Sequence, residues 1–320
     1  MWRRPFPWII TSVALLGALL PYAMDDVQMR ESLVLAAVYI VLATNLNLMI
    51  GYAGYVNFGN IVFFGLGGYL CLFLVNDWHW EVILAAFASG VLVSILALVF
   101  GLGILRLRGA FFALATIGVN AAIQQLVTNF QPWGGASGIY LSLDSYGPLG
   151  GPMQALWIVY LLIVGVALAS LLSSYAIKRS RFGLGLIAIG QNESAAAVLG
   201  VPTPLYKALA YSASAFLPAI VGGLYFYKTG IIEPNGAFSL SLSIEAIVMV
   251  MLGGQGTVIG PAFGAFLYEE LRRFLLTAAA FSNFQLVIAG VLLLCIVLFI
   301  PGGFMGFVHR HWPQTQKTLE

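Results

Sequence analysis

Few of the 320 residues are of a type and spacing to do chemistry, and those few point away from catalysis. His79, His309 and His311 form no HExxH pair, and Cys71 and Cys295 stand singly in apolar runs, so neither a zinc hydrolase centre nor a CxxC metal site can be assembled. No GxxxxGK[ST] stretch exists to cradle a phosphate, and Gly65-Leu66-Gly67-Gly68 lies in an apolar run rather than at a strand-to-helix turn. No nucleophile has a neighbouring base, so an enzyme is not expected. What remains is polar residues set among apolar ones. Thr116, Asn120, Gln124 and Thr128 recur at intervals of four, which places them on one face of a helix. Such a face avoids lipid and turns either to other helices or to a water-accessible route. Asn47, with Thr44 and Gly51, makes a shorter stripe. Glu245 is the most notable ionisable residue in an apolar run, and a charge at mid-membrane costs about 2.5–3.5 kcal/mol. It is either a functional group or a side chain that reaches the outer interface. The spans show no Asp, His or Lys relay beside it, which weighs against a proton-coupled carrier.

The elements that must position these residues are membrane helices. Apolar residues make up 61% of the chain and charged ones only 8%, against roughly 25% in soluble domains. The mean hydropathy of +0.96 agrees. A net charge of +2 is too small to argue for nucleic acid. A span needs about 20 apolar residues, and the expected fold is an all-α polytopic membrane protein with ten spans. They run Trp8–Met24, Leu33–Ile50, Ile61–Val75, Val82–Leu105, Ala110–Phe130, Gln154–Ala176, Ala208–Tyr227, Leu242–Leu252, Pro261–Thr277 and Phe284–Ile300. Eight full spans with re-entrant pieces is the alternative. The first stretch is read as a retained helix, because Tyr22-Ala23-Met24-Asp25 is a poor cleavage site.

With the N-terminus inside, Arg3, Arg4, Arg106, Arg108, Lys178, Arg179, Arg181, Lys207, Arg310 and Lys317 fall inside, and only Arg30, Lys228, Arg272 and Arg273 outside. The positive-inside rule therefore makes both termini cytoplasmic. Residues 1–307 form the transmembrane domain and 308–320 a cytoplasmic tail; the inner connection 177–206 carries a helical stretch closed by Gly200. Glycines interrupt the apolar pattern twice, at Gly51, Gly54 and Gly59 and again at Gly253, Gly254, Gly256 and Gly260. They mark either close helix packing or broken helices along a substrate path. The two breaks fall at non-matching places in the two halves, so no inverted repeat is evident.

Several segments carry a resemblance. The inner connection from Arg179 through Gly190 and Gln191 to Glu193-Ser194-Ala195-Ala196-Ala197 and Gly200 resembles the cytoplasmic loop of ABC-importer permeases. Gly51-Tyr52-Ala53-Gly54 with Asn57, Phe58 and Gly59, then Arg106 to Thr116, Ser243-Ile244-Glu245, Gly253 to Thr257 and Pro301-Gly302-Gly303 are similar, in order and spacing, to the branched-chain amino-acid permease family. The M-type subunit is the nearer of its two homologous forms. Gly190 stands where relatives usually have an arginine, and the family's glutamate-alanine-alanine is shifted about Glu193 and Ser194.

The resemblance implies that Glu193, Ser194, Ala195, Ala196 and Gly200 form the ATPase-docking element. Asn47, Thr116, Asn120, Gln124 and Glu245 are the substrate-path candidates. The implied partners are an H-type permease subunit, two cytoplasmic ABC ATPases and an extracytoplasmic substrate-binding protein, in a bacterial inner membrane. ATP and magnesium would be bound by the ATPases, leaving this chain with no cofactor or metal. Branched-chain or other neutral amino acids are the expected substrates. Urea is the alternative within the family, and a self-contained secondary carrier the alternative outside it.

Overall fold

The computed structural model describes residues 27–277, Val287, Val291 and residues 303–305. The expected span Trp8–Met24, nearly all of Phe284–Ile300 and the tail 308–320 lie outside these residues. The helices, in chain order, are α1 (Val27–Asn47, continued by a wider turn over Leu48–Tyr52), α2 (Asn60–Trp78), α3 (Val82–Ile104), α4 (Ala110–Asn129) and α5 (Pro152–Arg179). They continue with α6 (Arg181–Gln191), α7 (Glu193–Val198), α8 (Thr203–Thr229), α9 (Pro234–Ala237), α10 (Leu240–Gly253) and α11 (Gly260–Thr277).

Among the described residues, seven stretches are long and apolar enough to cross a membrane: Met29–Tyr52, α2, α3, α4, α5, α8 and Pro234–Gly253. Helices suit them because lipid offers no partner for a free peptide group. α11 was expected to be an eighth, but it carries Glu269, Glu270, Arg272 and Arg273 within two turns and is not among the seven.

α8 is the centre of the bundle, packed against α1, α2, α3 and α5. Small residues bring the backbones together, while polar side chains join α1 to α5: Asn45 Nδ2 donates to Ser170 Oγ at 2.9 Å, and Tyr52 and Ser174 hydroxyls meet at 3.0 Å. At one end of the bundle two short strands, β1 (Ile139–Tyr140) and β2 (Ile231–Ile232), pair antiparallel with Ile139 opposite Ile232. Asn76 Nδ2, on α2, donates to the Tyr140 carbonyl at 2.8 Å. At the other end lie the α3–α4 turn, α6, α7 and the chain between α1 and α2. α3, α4 and α5 turn apolar side chains such as Phe87, Leu96, Phe111, Leu126 and Leu161 outward, as a lipid-facing surface would.

The two glycine breaks, unrelated in the sequence, meet in space. Asn47 sits at the end of α1; its Nδ2 donates to the Thr257 carbonyl and its Oδ1 accepts the Gly256 N–H, both at 2.9 Å. Gly51 lies so close to Asn47 and the Gly256 backbone that a side chain there would overlap both. Gly51→Ala should therefore destabilise the protein by about 1–3 kcal/mol, the usual cost of overpacking. Thermal unfolding of the detergent-solubilised protein reads this directly; an unchanged midpoint would mean the two loops separate freely.

Candidate functional site

The connection 177–206 holds two helices, α6 and α7, rather than the single helical stretch expected. Ser180 caps α6 by accepting the Gly183 N–H, and Asn192 caps α7 by accepting the Ala195 N–H, each at 3.0 Å. Gly200 lies just beyond α7 at a φ of +88°, and the chain turns there towards α8. α7 has two unlike faces. Ser194, Ala195 and Ala197 are exposed, and Val198 and Leu199 leave 88% and 82% of their surface free. Ala196, one of the five residues expected to dock, is turned inward and buried.

Glu193 is turned inward as well. Lys207 Nζ donates to its Oε1 at 2.7 Å, Tyr55 Oη donates to Oε2 at 2.7 Å, and Arg108 Nε lies 3.1 Å from Oε2. Lys207, only 3% exposed, also donates to Tyr55 Oη at 3.1 Å and to the Leu105 carbonyl at 2.8 Å. Partial burial opposes the charge on Glu193, but the bonds from Lys207 and Tyr55 and the charges of Lys207 and Arg108 outweigh it. The carboxyl is thereby held below the ordinary glutamate range. Burial, then the bond to Glu193, pushes the Tyr55 hydroxyl up, so it remains a donor. Sequence spacing could not find this group, because its members lie on four separate segments.

The stripe on α4 is a seam between elements. Thr116 Oγ1 accepts the Phe58 N–H at 3.2 Å and donates to the Ala113 carbonyl at 2.7 Å. Asn120 Nδ2 donates to the Phe238 carbonyl at 2.9 Å, and Gln124 Nε2 to Asn235 Oδ1 at 3.1 Å. Thr128 bonds back to the Gln124 carbonyl within α4. Of the two readings open for the stripe, hydrogen bonding to neighbouring segments accounts for most of its polar atoms. Unused capacity remains at Asn120 Oδ1, Asn57 Nδ2, Asn60 Oδ1 and Tyr69 Oη, all buried. Tyr69 is itself stacked between Trp133 and Phe238, at ring separations of 5.5 and 5.9 Å.

Glu245 is buried, and the charged groups that act on it are Arg272 and Glu269, not an Asp, His or Lys relay. Tyr39 Oη donates to it at 3.3 Å, and the Arg272 guanidinium lies over the Tyr39 ring and donates to Glu269 at 3.4 Å. Tyr39 belongs to α1, and Glu269 and Arg272 belong to α11. Of the break glycines, Gly54 has a φ of +74° and abuts Gly190, Gly59 abuts Thr116, and Gly253 and Gly254 pack on Gly260 and Gly303. Among the described residues no His, Cys, Asp and Glu cluster could hold a metal.

Residues 28–297 match the model of the branched-chain amino acid transport system permease component family. The chain belongs to that family. It is 24% identical over 313 residues to the high-affinity branched-chain amino acid transport system permease protein LivM of Escherichia coli K12, covering 89% of this chain and 70% of the relative. LivM of Salmonella typhimurium is 23% identical over 88% of this chain and 69% of the relative. The autoinducer 2 import system permease protein LsrC of Yersinia enterocolitica is 27% identical over 67% of this chain and 56% of the relative. No solved structure matches. Like other permeases of the family, the chain is a multi-pass inner-membrane transport subunit rather than an enzyme.

In this permease, Glu193→Ala leaves Lys207 buried and uncompensated, and should cost about 3 kcal/mol of stability at neutral pH. Because the folded carboxyl titrates below its unfolded value, this contribution is full above about pH 5 and is lost as the pH falls below about 4.3. Thermal unfolding of both proteins between pH 7 and pH 3 checks it. A difference that stays constant across that range would show that the ionised carboxylate is not its source.

Proposed function

We propose that this chain is the M-type permease subunit of an ATP-driven importer for branched-chain and other neutral amino acids. It pairs with an H-type permease, two cytoplasmic ATPases that bind ATP and magnesium, and an extracytoplasmic binding protein. Ten spans with both termini cytoplasmic complete this reading, residues 1–307 being the transmembrane domain and 308–320 its tail. The observation that carries it is family membership over most of the chain, with LivM as a relative along 89% of it.

The geometry supports the division of labour. α7 is a short helix with an exposed face of small and aliphatic side chains, the kind of surface that enters a groove on another protein. Ser194, Ala195, Val198 and Leu199 make this docking face, and Glu193 and Ala196 support it from behind. ATP binding closes the ATPases, α7 follows, and the permease pair opens outward; hydrolysis returns it inward. The zwitterion needs donors and acceptors at one end and tolerant apolar surface at the other. The unused polar atoms of Asn57, Asn60 and Asn120, and Tyr69 with its stacked rings, are the groups that could serve these two needs.

Glu245, Glu269 and Arg272 favour a second reading, a self-contained secondary carrier, since acids within the membrane are the usual proton relay. Radiolabelled uptake into proteoliposomes separates the two, with leucine, alanine, urea and autoinducer 2 as substrates. The importer reading expects ATP-dependent accumulation of leucine that needs the binding protein; accumulation of urea or autoinducer 2 in its place would change the substrate. Proton-driven uptake by this chain alone would establish the carrier.

Leu199→Asp should reduce co-purification of the ATPases by about tenfold, the cost of one buried apolar contact. Undiminished co-purification and coupled transport would remove α7 from the docking role. Asn120→Leu should slow uptake without loss of assembly, and unchanged kinetics would make Asn120 a packing residue alone.

A further inference from the structure

Three segments far apart in sequence converge on one carboxylate. Tyr55 belongs to the turn that interrupts α1 and α2, Leu105 and Arg108 to the turn between α3 and α4, and Lys207 to the start of α8. Glu193 binds Tyr55, Arg108 and Lys207 directly, and Lys207 carries the connection on to the Leu105 carbonyl. The contact extends on both sides. Gly190, at the end of α6, lies against the backbone of Tyr52, Ala53 and Gly54, where any side chain would collide. Three residues after Tyr55, the Phe58 N–H is held by Thr116 of α4.

We propose that Glu193 is a positioning residue rather than an ATPase contact: it clamps α7 to the Tyr55 turn and the α3–α4 turn, so that displacement of α7 reaches α4 and the interrupted helix as one movement. This rests on the reading of α7 as the ATPase-docking helix. The physical basis is that α7 has only six residues and packs on the adjoining α6 and α8, while Glu193 adds direct ties to the Tyr55 turn and the α3–α4 turn. A buried lysine with one matching carboxylate strongly resists separation, since parting them leaves the lysine charge buried and uncompensated. The aliphatic face of α7 takes no part in the clamp and stays free for a partner. Transmission of this kind needs a connection that persists through the cycle, and a salt bridge with three donors on one carboxylate supplies it.

The test uses the complete importer, with both permeases, the ATPases and the binding protein, in proteoliposomes. ATP hydrolysed per molecule of substrate taken up is measured for the wild type, Glu193→Ala, Glu193→Gln and Tyr55→Phe. A merely structural role lowers the yield of complex but leaves this ratio alone in the complexes that form. The clamp instead predicts a ratio raised by about tenfold in Glu193→Ala, within the usual span of coupling effects. Glu193→Gln, which keeps the hydrogen-bonding shape, should rescue part of the loss. Tyr55→Phe removes two hydrogen bonds, to Glu193 and from Lys207, and no charge, and gives the same readout if Glu193→Ala does not assemble.

Spin labels at Ala197 and Leu107, both exposed, read the geometry. Their separation should be the same in the nucleotide-free and nucleotide-trapped wild type, and should change between those states in Glu193→Ala. A wild-type ratio in both Glu193→Ala and Tyr55→Phe, or labels that part in the wild type, overturns the clamp while leaving docking intact. Failure of the ATPases to bind the wild-type chain removes the docking reading, and the clamp with it.

Discussion

Where a membrane helix gives way to irregular chain inside a packed bundle, its freed peptide groups must find partners within the protein. The passage from Gly51 to Gly59 is where this chain meets that constraint, and much of the structure is arranged around it. The wider turn at Leu48–Tyr52 lets the Ala53 N–H reach the Leu48 carbonyl and the Tyr55 N–H reach Met49, at 3.3 and 2.8 Å. Asn57 Oδ1 takes the Gly59 N–H at 2.9 Å, and Thr116 takes that of Phe58. Each of these solutions fixes the position of another element. Asn47 brings in the second break, Thr116 brings in α4, and Tyr55 brings in α7 through Glu193.

The apolar framework was legible in the sequence because it rests on length and composition alone. Runs such as Val82–Ile104 are continuous enough that the structure moves their ends by a residue or two. α11 is the harder stretch to read, because its first half is apolar while Glu269, Glu270, Arg272 and Arg273 cluster in the second. The candidate site was legible in part. The period of four on α4 correctly put Thr116 and Asn120 on one buried side, but periodicity cannot tell a seam from a water-filled route. That distinction depends on what faces the stripe, and the partners Phe58, Asn235 and Phe238 lie far away in the chain.

Orientation within short elements was the least legible. A six-residue helix completes fewer than two turns, so its pattern does not say which side is buried. The glutamate-alanine-alanine resemblance marks the segment without marking its faces, and Glu193 and Ala196 turned out to point away from the exposed surface. Glu245 shows the same limit for charge. Its own span holds no partner; Tyr39 of α1 bonds to it, and α11, which carries Glu269 and Arg272, packs on both α1 and α10. A local search for ion pairs could not see that.

The way α4 is attached bears on how such a permease can open. α2 and α8 bury most of their surface in close apolar contact, and separating them would sacrifice packing over their whole length. α4 is different: most of it faces outward, and one polar side joins it to the interrupted turn and to Asn235 and Phe238. Hydrogen bonds of this sort can be exchanged for bonds to water or to a polar solute at small net cost, whereas apolar packing has no such replacement. A polar route through such a permease would therefore open at least cost along α4, where the bonds broken are of the same kind as the bonds a polar solute brings. The aromatic stack of Trp133, Tyr69 and Phe238 lies beside one end of that seam and the Glu193 group beside the other, so two clusters of directional contacts bracket the same helix.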